Sequence, residues 1–154
     1  GCGSGRFCIA FAQNGARKVI GVDFAPAMIE IANELAEAAN LADVCEFRVG
    51  AFPGVVSAEE APFDACTGNG FFDYVDQPVP IIARMRELTS GKLVLSFPKA
   101  VEWRVPIRRF RFWLKGTPLF LYREEQVKQI LREAGVSNYE WVELDRDYLV
   151  IAEV

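Results

Sequence analysis

At 154 residues, 51% hydrophobic and 25% charged, the chain has the size and balance of one globular domain rather than a disordered or fibrous protein. It holds no histidine, which excludes Ser-His-Asp and Cys-His nucleophilic machinery, HExxH zinc sites and a histidine base. Cys2, Cys8, Cys45 and Cys66 form no CxxC pair, so they read as reduced apolar residues of a cytoplasmic protein with no metal site.

The opening Gly1-Cys-Gly3-Ser-Gly5 is a glycine-rich turn, and Arg6 to Gln13 follows as a short apolar helix that Asn14-Gly15 ends. Glycines there let the backbone turn sharply and bring its N–H groups to a ligand at the positive end of the helix. Lys18 to Val22 is a near-continuous apolar strand closing on Asp23. An acid at the carboxyl end of this strand lies where it can accept both hydroxyls of a ligand's ribose. An alternative is that the glycines only make a tight loop and Asp23 only caps the next helix. That explains each residue separately but not their joint spacing.

Pro26 suits a first helical position, and Met28, Ile31, Ala32 and Leu35 then recur on one face, with Glu30, Asn33, Glu34 and Glu37 on the other. Val44 to Val49 and Phe63 to Thr67 read as strands, and Pro80 to Leu88 as a helix that Gly91 breaks before the strand Leu93 to Phe97. Val127, Ile130, Leu131 and Ala134 define a last helix stopped by Gly135. Tyr139 to Leu144 and Asp147 to Glu153 are two strands that a tight turn makes antiparallel. This order predicts an α/β, Rossmann-like, doubly wound and mostly parallel sheet with an antiparallel last strand, its first strand missing, over a single domain 1–154.

Net charge is −4, yet Lys99, Arg104, Arg108, Arg109, Arg111 and Lys115 cluster against the single acid Glu102. An acidic body with one basic patch argues against nucleic-acid binding and for a local anionic ligand. Within this stretch Phe110, Trp113 and Leu114 share one helical face, and Arg108, Arg111 and Lys115 another. Three readings stand: a lid over residues 98–121 whose Arg108, Phe110, Arg111 and Trp113 meet an anionic or amphipathic small-molecule acceptor, an ordinary surface helix, or a membrane-surface helix.

Together these segments resemble the class I S-adenosylmethionine-dependent methyltransferases. Gly1 to Gly5 is similar to their cofactor motif and Val19 to Met28 to their second motif. Phe63 to Tyr74 resembles their fourth strand and its loop, and Gly91 to Phe97 their fifth strand. The tail is similar to small-molecule O- and C-methyltransferases of porphyrin and quinone pathways. The resemblance implies a methyltransferase using S-adenosyl-L-methionine, with Gly1, Gly3 and Gly5 at the methionine end and Asp23 on the ribose. It sets Phe24 and Met28 beside the adenine, Gly50, Ala51 and Phe52 at the border of the base, and Asn69, Gly70 and Phe71 on the methyl-donor side. Many relatives carry an acid where Ala51 stands.

Methyl transfer from a sulfonium is an in-line displacement governed by positioning, which a chain without histidine can support. Should the acceptor need deprotonation, the nearby groups are Asp73, Tyr74 and Asp76, of which Asp73 and Asp76 are also explained as solvated loop or helix-entry acids. A nicotinamide-dependent oxidoreductase is the rival, disfavoured because Arg6 stands where its fingerprint has a small residue for close helix–strand packing. A non-catalytic cofactor-binding module is a third reading. The strand absent before the glycine turn would bury about five aliphatic side chains, roughly 8–15 kcal/mol, which rivals a domain's net stability of about 5–15 kcal/mol. The chain therefore reads as a piece of a longer protein, aggregation-prone alone; a cooperative melt above about 50 °C would contradict this.

Overall fold

The computed structural model describes residues 1–100 and 119–154. The centre of the expected lid, with Arg108, Phe110, Arg111 and Trp113, lies outside the described residues. The chain divides into two compact units, Gly1–Ser57 and Ala58–Val154. Among the described residues no helix is long and apolar enough to cross a membrane.

The first unit alternates helix and strand: α1 (Arg6–Gln13), β1 (Val19–Asp23), α2 (Pro26–Ala38) and β2 (Cys45–Val49). β1 and β2 pair in parallel, from Val19 opposite Cys45 to Asp23 opposite Val49. Both strands therefore end together, and the loops after them leave from one edge. α2 opens on Pro26, whose missing N–H costs nothing in a first turn.

α2 corrects one sequence expectation. The buried stripe is Ile29, Ala32 and Ala36, while Met28, Ile31 and Leu35 stay 37–40% exposed. α1 behaves alike: Cys8 and Ala12 are buried, and Phe7 and Phe11 are exposed. Small residues face inward because these helices lie close to the strands. A Cβ on Gly5 would come within 2.7 Å of the Phe47 ring, and one on Gly21 within 2.6 Å of the same ring and 3.0 Å of Cys8 Sγ. Phe47 thus fills the space that Gly5 and Gly21 vacate.

The second unit carries β3 (Phe63–Gly68), α3 (Pro78–Glu87), β4 (Thr89–Pro98), α4 (Glu124–Glu133), β5 (Tyr139–Glu143) and β6 (Asp147–Glu153). The strand order is β3-β4-β6-β5, with β3 and β4 parallel and β6 antiparallel to both neighbours. The last strand is antiparallel as expected, lying between β4 and β5. Gly91 does not break the chain ahead of a strand; it sits inside β4. The β3–β4 register shifts between Phe63 and Ala65, and the Asp64 carbonyl oxygen would lie 2.3 Å from a Cβ at position 91. Glycine there absorbs the irregularity.

Phe72 and Phe97 stack in the core at 4.7 Å, and Tyr122 meets Phe97 edge-on at 5.4 Å. The buried Tyr122 hydroxyl donates to the carbonyls of Phe72 and Val75, each at 3.2 Å. Burial pushes this phenol up to about 12, helped by the charges of Asp73 and Asp76. α4 ends as expected at Gly135, whose φ of 76° is a left-handed position.

Candidate functional site

The glycine turn and the acid beyond β1 meet in the first unit. Gly3 N–H donates to Asp23 Oδ2 at 2.8 Å, across 20 residues of sequence. The other oxygen, Oδ1, accepts from Ala25 N–H at 3.0 Å. Asp23 is 7% exposed, so each oxygen of a buried carboxylate holds one main-chain donor. The Ala25 contact fits the helix-entry role considered for Asp23, and the Gly3 contact goes beyond it. Each oxygen retains a further lone pair for a hydroxyl donor.

The turn is fastened to the end of β1. Cys2 N–H donates to the Val22 carbonyl at 2.9 Å, the Gly1 nitrogen lies 2.6 Å from the same oxygen, and Gly5 N–H donates to the Cys2 carbonyl at 3.1 Å. Two glycines do different work. Gly3, at φ 53°, has nothing within 4 Å of a notional Cβ, so its left-handed backbone faces open space. Gly5, at φ 71°, is buried against Phe47 and Ala32. Close helix–strand packing is therefore present, supplied by Gly5 and Gly21. Arg6 is exposed and does not obstruct it, contrary to the sequence argument.

Gly50 N–H donates to the Asp23 main-chain carbonyl at 2.8 Å, which sets the loop after β2 beside the acid. At φ 153° and with Val55 Cγ1 2.3 Å from a notional Cβ, position 50 admits only glycine without rearrangement. Arg48 holds the loop from the far side: Nη1 donates to the Val55 carbonyl at 2.9 Å, and Nε to Glu46 at 2.7 Å. The sequence reading missed Arg48; its position two residues after an acid in a strand was the available signal. Phe24 is 75% exposed, Met28 over a third exposed, Ala51 exposed and Phe52 half-buried. The first unit thus brings Gly1, Gly3, Gly5, Asp23 and Gly50 together by hydrogen bonds and leaves Phe24 and Met28 as an uncovered apolar pair on the same loop–helix junction.

In the second unit Asn69, Gly70 and Phe71 follow the carboxyl end of β3. Gly70, at φ 65°, donates its N–H to Ser96 Oγ at 2.9 Å, tying this loop to β4. Among the described residues, Asn69 Oδ1 is buried without a hydrogen-bond partner. Asp73 and Tyr74 belong to a short 3-10 turn, Phe72–Tyr74, and Asp76 is exposed beyond it. Asp73 also accepts Phe120 N–H through its main chain at 2.9 Å. Lys99 is not part of a free basic patch. It is buried, with Nζ 2.8 Å from Glu143 Oε1, bonded to the Leu144 carbonyl, and 5.0 Å from the Tyr148 ring centroid.

Residues 1–91, more than half of the chain, match the family described as methyltransferase domain. A ribosomal protein L11 methyltransferase from Alkaliphilus oremlandii is 42% identical over 57 residues, 37% of this chain and 18% of that protein. Among solved structures, magnesium protoporphyrin IX methyltransferase from Synechocystis, crystallised with bound SAH, superposes with a TM-score of 0.73 at 20% identity. The match covers 99% of this chain and 71% of that one. An O-methyltransferase family protein from Burkholderia thailandensis gives 0.75 at 18% identity, over 99% of this chain and 48% of that one. These likenesses carry the Rossmann-like α/β fold with its mixed sheet. The chain thus spans 18% of the curated relative and about half of the Burkholderia structure.

Proposed function

Because the chain belongs to the methyltransferase domain family, we propose that it binds S-adenosyl-L-methionine and transfers its methyl group to a small-molecule acceptor. The observation that carries this reading is the hydrogen bond from Gly3 N–H to Asp23 Oδ2, 2.8 Å long, which unites the glycine turn with the strand-end acid. The residues fit the cofactor: open backbone at Gly3, a fixed carboxylate with spare lone pairs, and an apolar pair at Phe24 and Met28.

In this reading the turn from Gly1 to Gly5 holds the methionine end, and Asp23 accepts the ribose hydroxyls. Phe24 and Met28 cover the adenine, and Gly50, Ala51 and Phe52 border it. Asn69, Gly70 and Phe71 serve the methyl-donor side, where Asn69 Oδ1 supplies an acceptor. The cofactor supplies an already activated sulfonium methyl, so the chain's residues need to bind, orient and exclude water rather than form a covalent intermediate. No base is assigned among Asp73, Tyr74 and Asp76. Residues 1–154 are read as one methyltransferase domain with a doubly wound, mostly parallel sheet, supported by solved structures that cover 99% of the chain.

Calorimetric titration with S-adenosylhomocysteine and, separately, with NAD tests the proposal. Saturable heat with the former alone is expected. Heat with NAD and none with the nucleoside thioether overturns it.

A further inference from the structure

The sheet of the first unit ends at β2 with an open edge: among the described residues β2 pairs with β1 alone. Val19 N–H donates to the Val44 carbonyl, and Gly50 N–H to the Asp23 carbonyl. With the parallel register, these two bonds fix which way each main-chain group between them points. Glu46 and Arg48 turn their N–H and C=O toward β1, and Cys45, Phe47 and Val49 turn theirs away from it. The Leu41 carbonyl takes Cys45 N–H. The Cys45 carbonyl and the N–H and C=O of Phe47 and Val49 have no hydrogen bond among the described residues.

An edge of this kind invites another strand, and proteins blunt it with charge, proline or a covering element. β5, the last strand of the second unit's sheet, follows that rule, since its charged residues, Glu140 and Glu143, are both acids. β2 does not. Cys45-Glu-Phe-Arg-Val49 carries one acid and one base, placed symmetrically about Phe47. Cys45 packs with Cys8 and Ala36, and Phe47 lies close to Gly5, so both side chains turn toward the helices. Glu46 and Arg48 therefore share the opposite face. There Arg48 Nη2 lies 2.7 Å from Glu46 Oε1, and Lys18 Nζ 3.3 Å from Glu46 Oε2.

This pattern is self-complementary. Laid antiparallel on a second copy with Phe47 opposite Phe47, each Glu46 stands directly across from the other copy's Arg48. The outward main-chain groups match as well. The two Phe47 residues exchange N–H and C=O, and each Val49 N–H meets the other copy's Cys45 carbonyl. Val49, 49% exposed, is covered by that contact. Sliding the strands by two residues sets Glu46 against Glu46 or Arg48 against Arg48, and a parallel in-register pairing opposes both like pairs at once. Like charges directly opposite are destabilising, so one register is favoured. A two-fold axis at Phe47 closes it as a dimer.

We propose that β2 is a dimerisation edge, at which two copies of the chain join their first units into one continuous sheet through antiparallel pairing of Cys45–Val49, with reciprocal Glu46–Arg48 ion pairs. The edge is 5 residues long. That is less than the roughly 1,200 Å² of a standard interface provides for, so the pair is a weak one, with a Kd on the order of 0.1 mM. The inference uses no cofactor contact and stands apart from the methyl-transfer reading.

The test is sedimentation of the full chain from about 10 μM to about 1 mM, a span that brackets such a Kd. A monomer–dimer equilibrium is expected. Arg48→Glu alone and Glu46→Arg alone each oppose like charges and should weaken self-association at least tenfold. Mixing the two variants restores opposite charges at both positions, so a heterodimer should form where neither variant pairs with itself. Val49→Pro removes an edge donor while leaving the β1–β2 ladder intact, and should abolish the dimer without a charge change. Melting curves confirm that each variant is folded, and Val49→Pro carries the test should a charge variant fail to fold. A monomer across the whole range overturns the proposal. Self-association that survives all three substitutions places the contact elsewhere and overturns it too. Folded charge variants that stay apart when mixed overturn the register.

Discussion

Asp23→Asn separates the two tasks assigned to this carboxylate. An asparagine has one oxygen, so whichever way its amide turns, either Gly3 N–H or Ala25 N–H faces an NH2 group instead of an acceptor. One charge-assisted hydrogen bond is lost, about 1.5–3 kcal/mol, and the survivor weakens because the charge is gone, by about 1 kcal/mol. The folded state should lose about 2–4 kcal/mol, or roughly 5–15 °C in melting temperature for a chain of this size. Ligand binding should suffer separately: losing one charged acceptor to a ribose hydroxyl costs about 1.5–3 kcal/mol, a 10- to 150-fold weaker Kd. Thermal denaturation and calorimetric titration of S-adenosylhomocysteine, run below the variant's melting point, read the two effects independently. A variant that melts early yet binds as tightly as the parent would reduce Asp23 to a structural staple. Unchanged stability would refute the hydrogen-bond geometry itself.

Further outcomes follow from the packing and from the buried acids. Gly5→Ala combines a left-handed φ with a Cβ 2.7 Å from the Phe47 ring, and should cost about 2–5 kcal/mol. Phe47→Leu should relieve part of that loss, and a denaturant double-mutant cycle should give a favourable coupling of about 0.5–3 kcal/mol; additive effects would contradict the shared cavity. Gly3→Ala, with open space around it, should cost only its backbone strain, about 1–2 kcal/mol, in the same measurement. Alkaline stability should fall in two windows. Cys66, raised from 9.0 to about 11, and Tyr122, raised from 10.0 to about 12, are both protonated in the fold where they would ionise unfolded. Their contribution is complete below pH 9 and 10 respectively and is lost as pH climbs through 11 and 12; Cys66→Ala and Tyr122→Phe should each flatten one window of a pH-dependent melt. Lys99→Met should destabilise the second unit by about 1–3 kcal/mol, because the Leu144 carbonyl loses its donor; a melt unchanged from the parent would deny that role.

Much of the fold was legible because its punctuation is strong. Pro26 at a helix start, Gly135 at a helix end and the alternation of apolar strands with helices all lie where the chain pattern put them. The link between residues 3 and 23 was legible as spacing, and the structure adds the hydrogen bond. The inward faces of α1 and α2 were not. A period of 3.6 supports two stripes offset by one residue, and the choice of Ile29, Ala32 and Ala36 over Met28, Ile31 and Leu35 depends on how closely the helix approaches its strand. That distance is set by Gly5, Gly21 and Phe47, residues from three separate elements. Gly91 was misread for a related reason: its smallness answers to the Asp64 carbonyl on a neighbouring strand, which no local pattern announces. Lys99 reads as patch charge in a chain of letters, and only its non-local partners, Glu143 and Leu144, reveal a clamp.

The single benzyl group at position 47 has a practical corollary for anyone redesigning the first unit. It touches both the residue that starts α1 and a residue in the middle of β1, so those three positions behave as one interlocking volume. A library that randomises the opening bend while freezing position 47 would sample mostly broken proteins. One that lets the ring shrink as the bend gains side chains could reach binding loops that the native trio forbids.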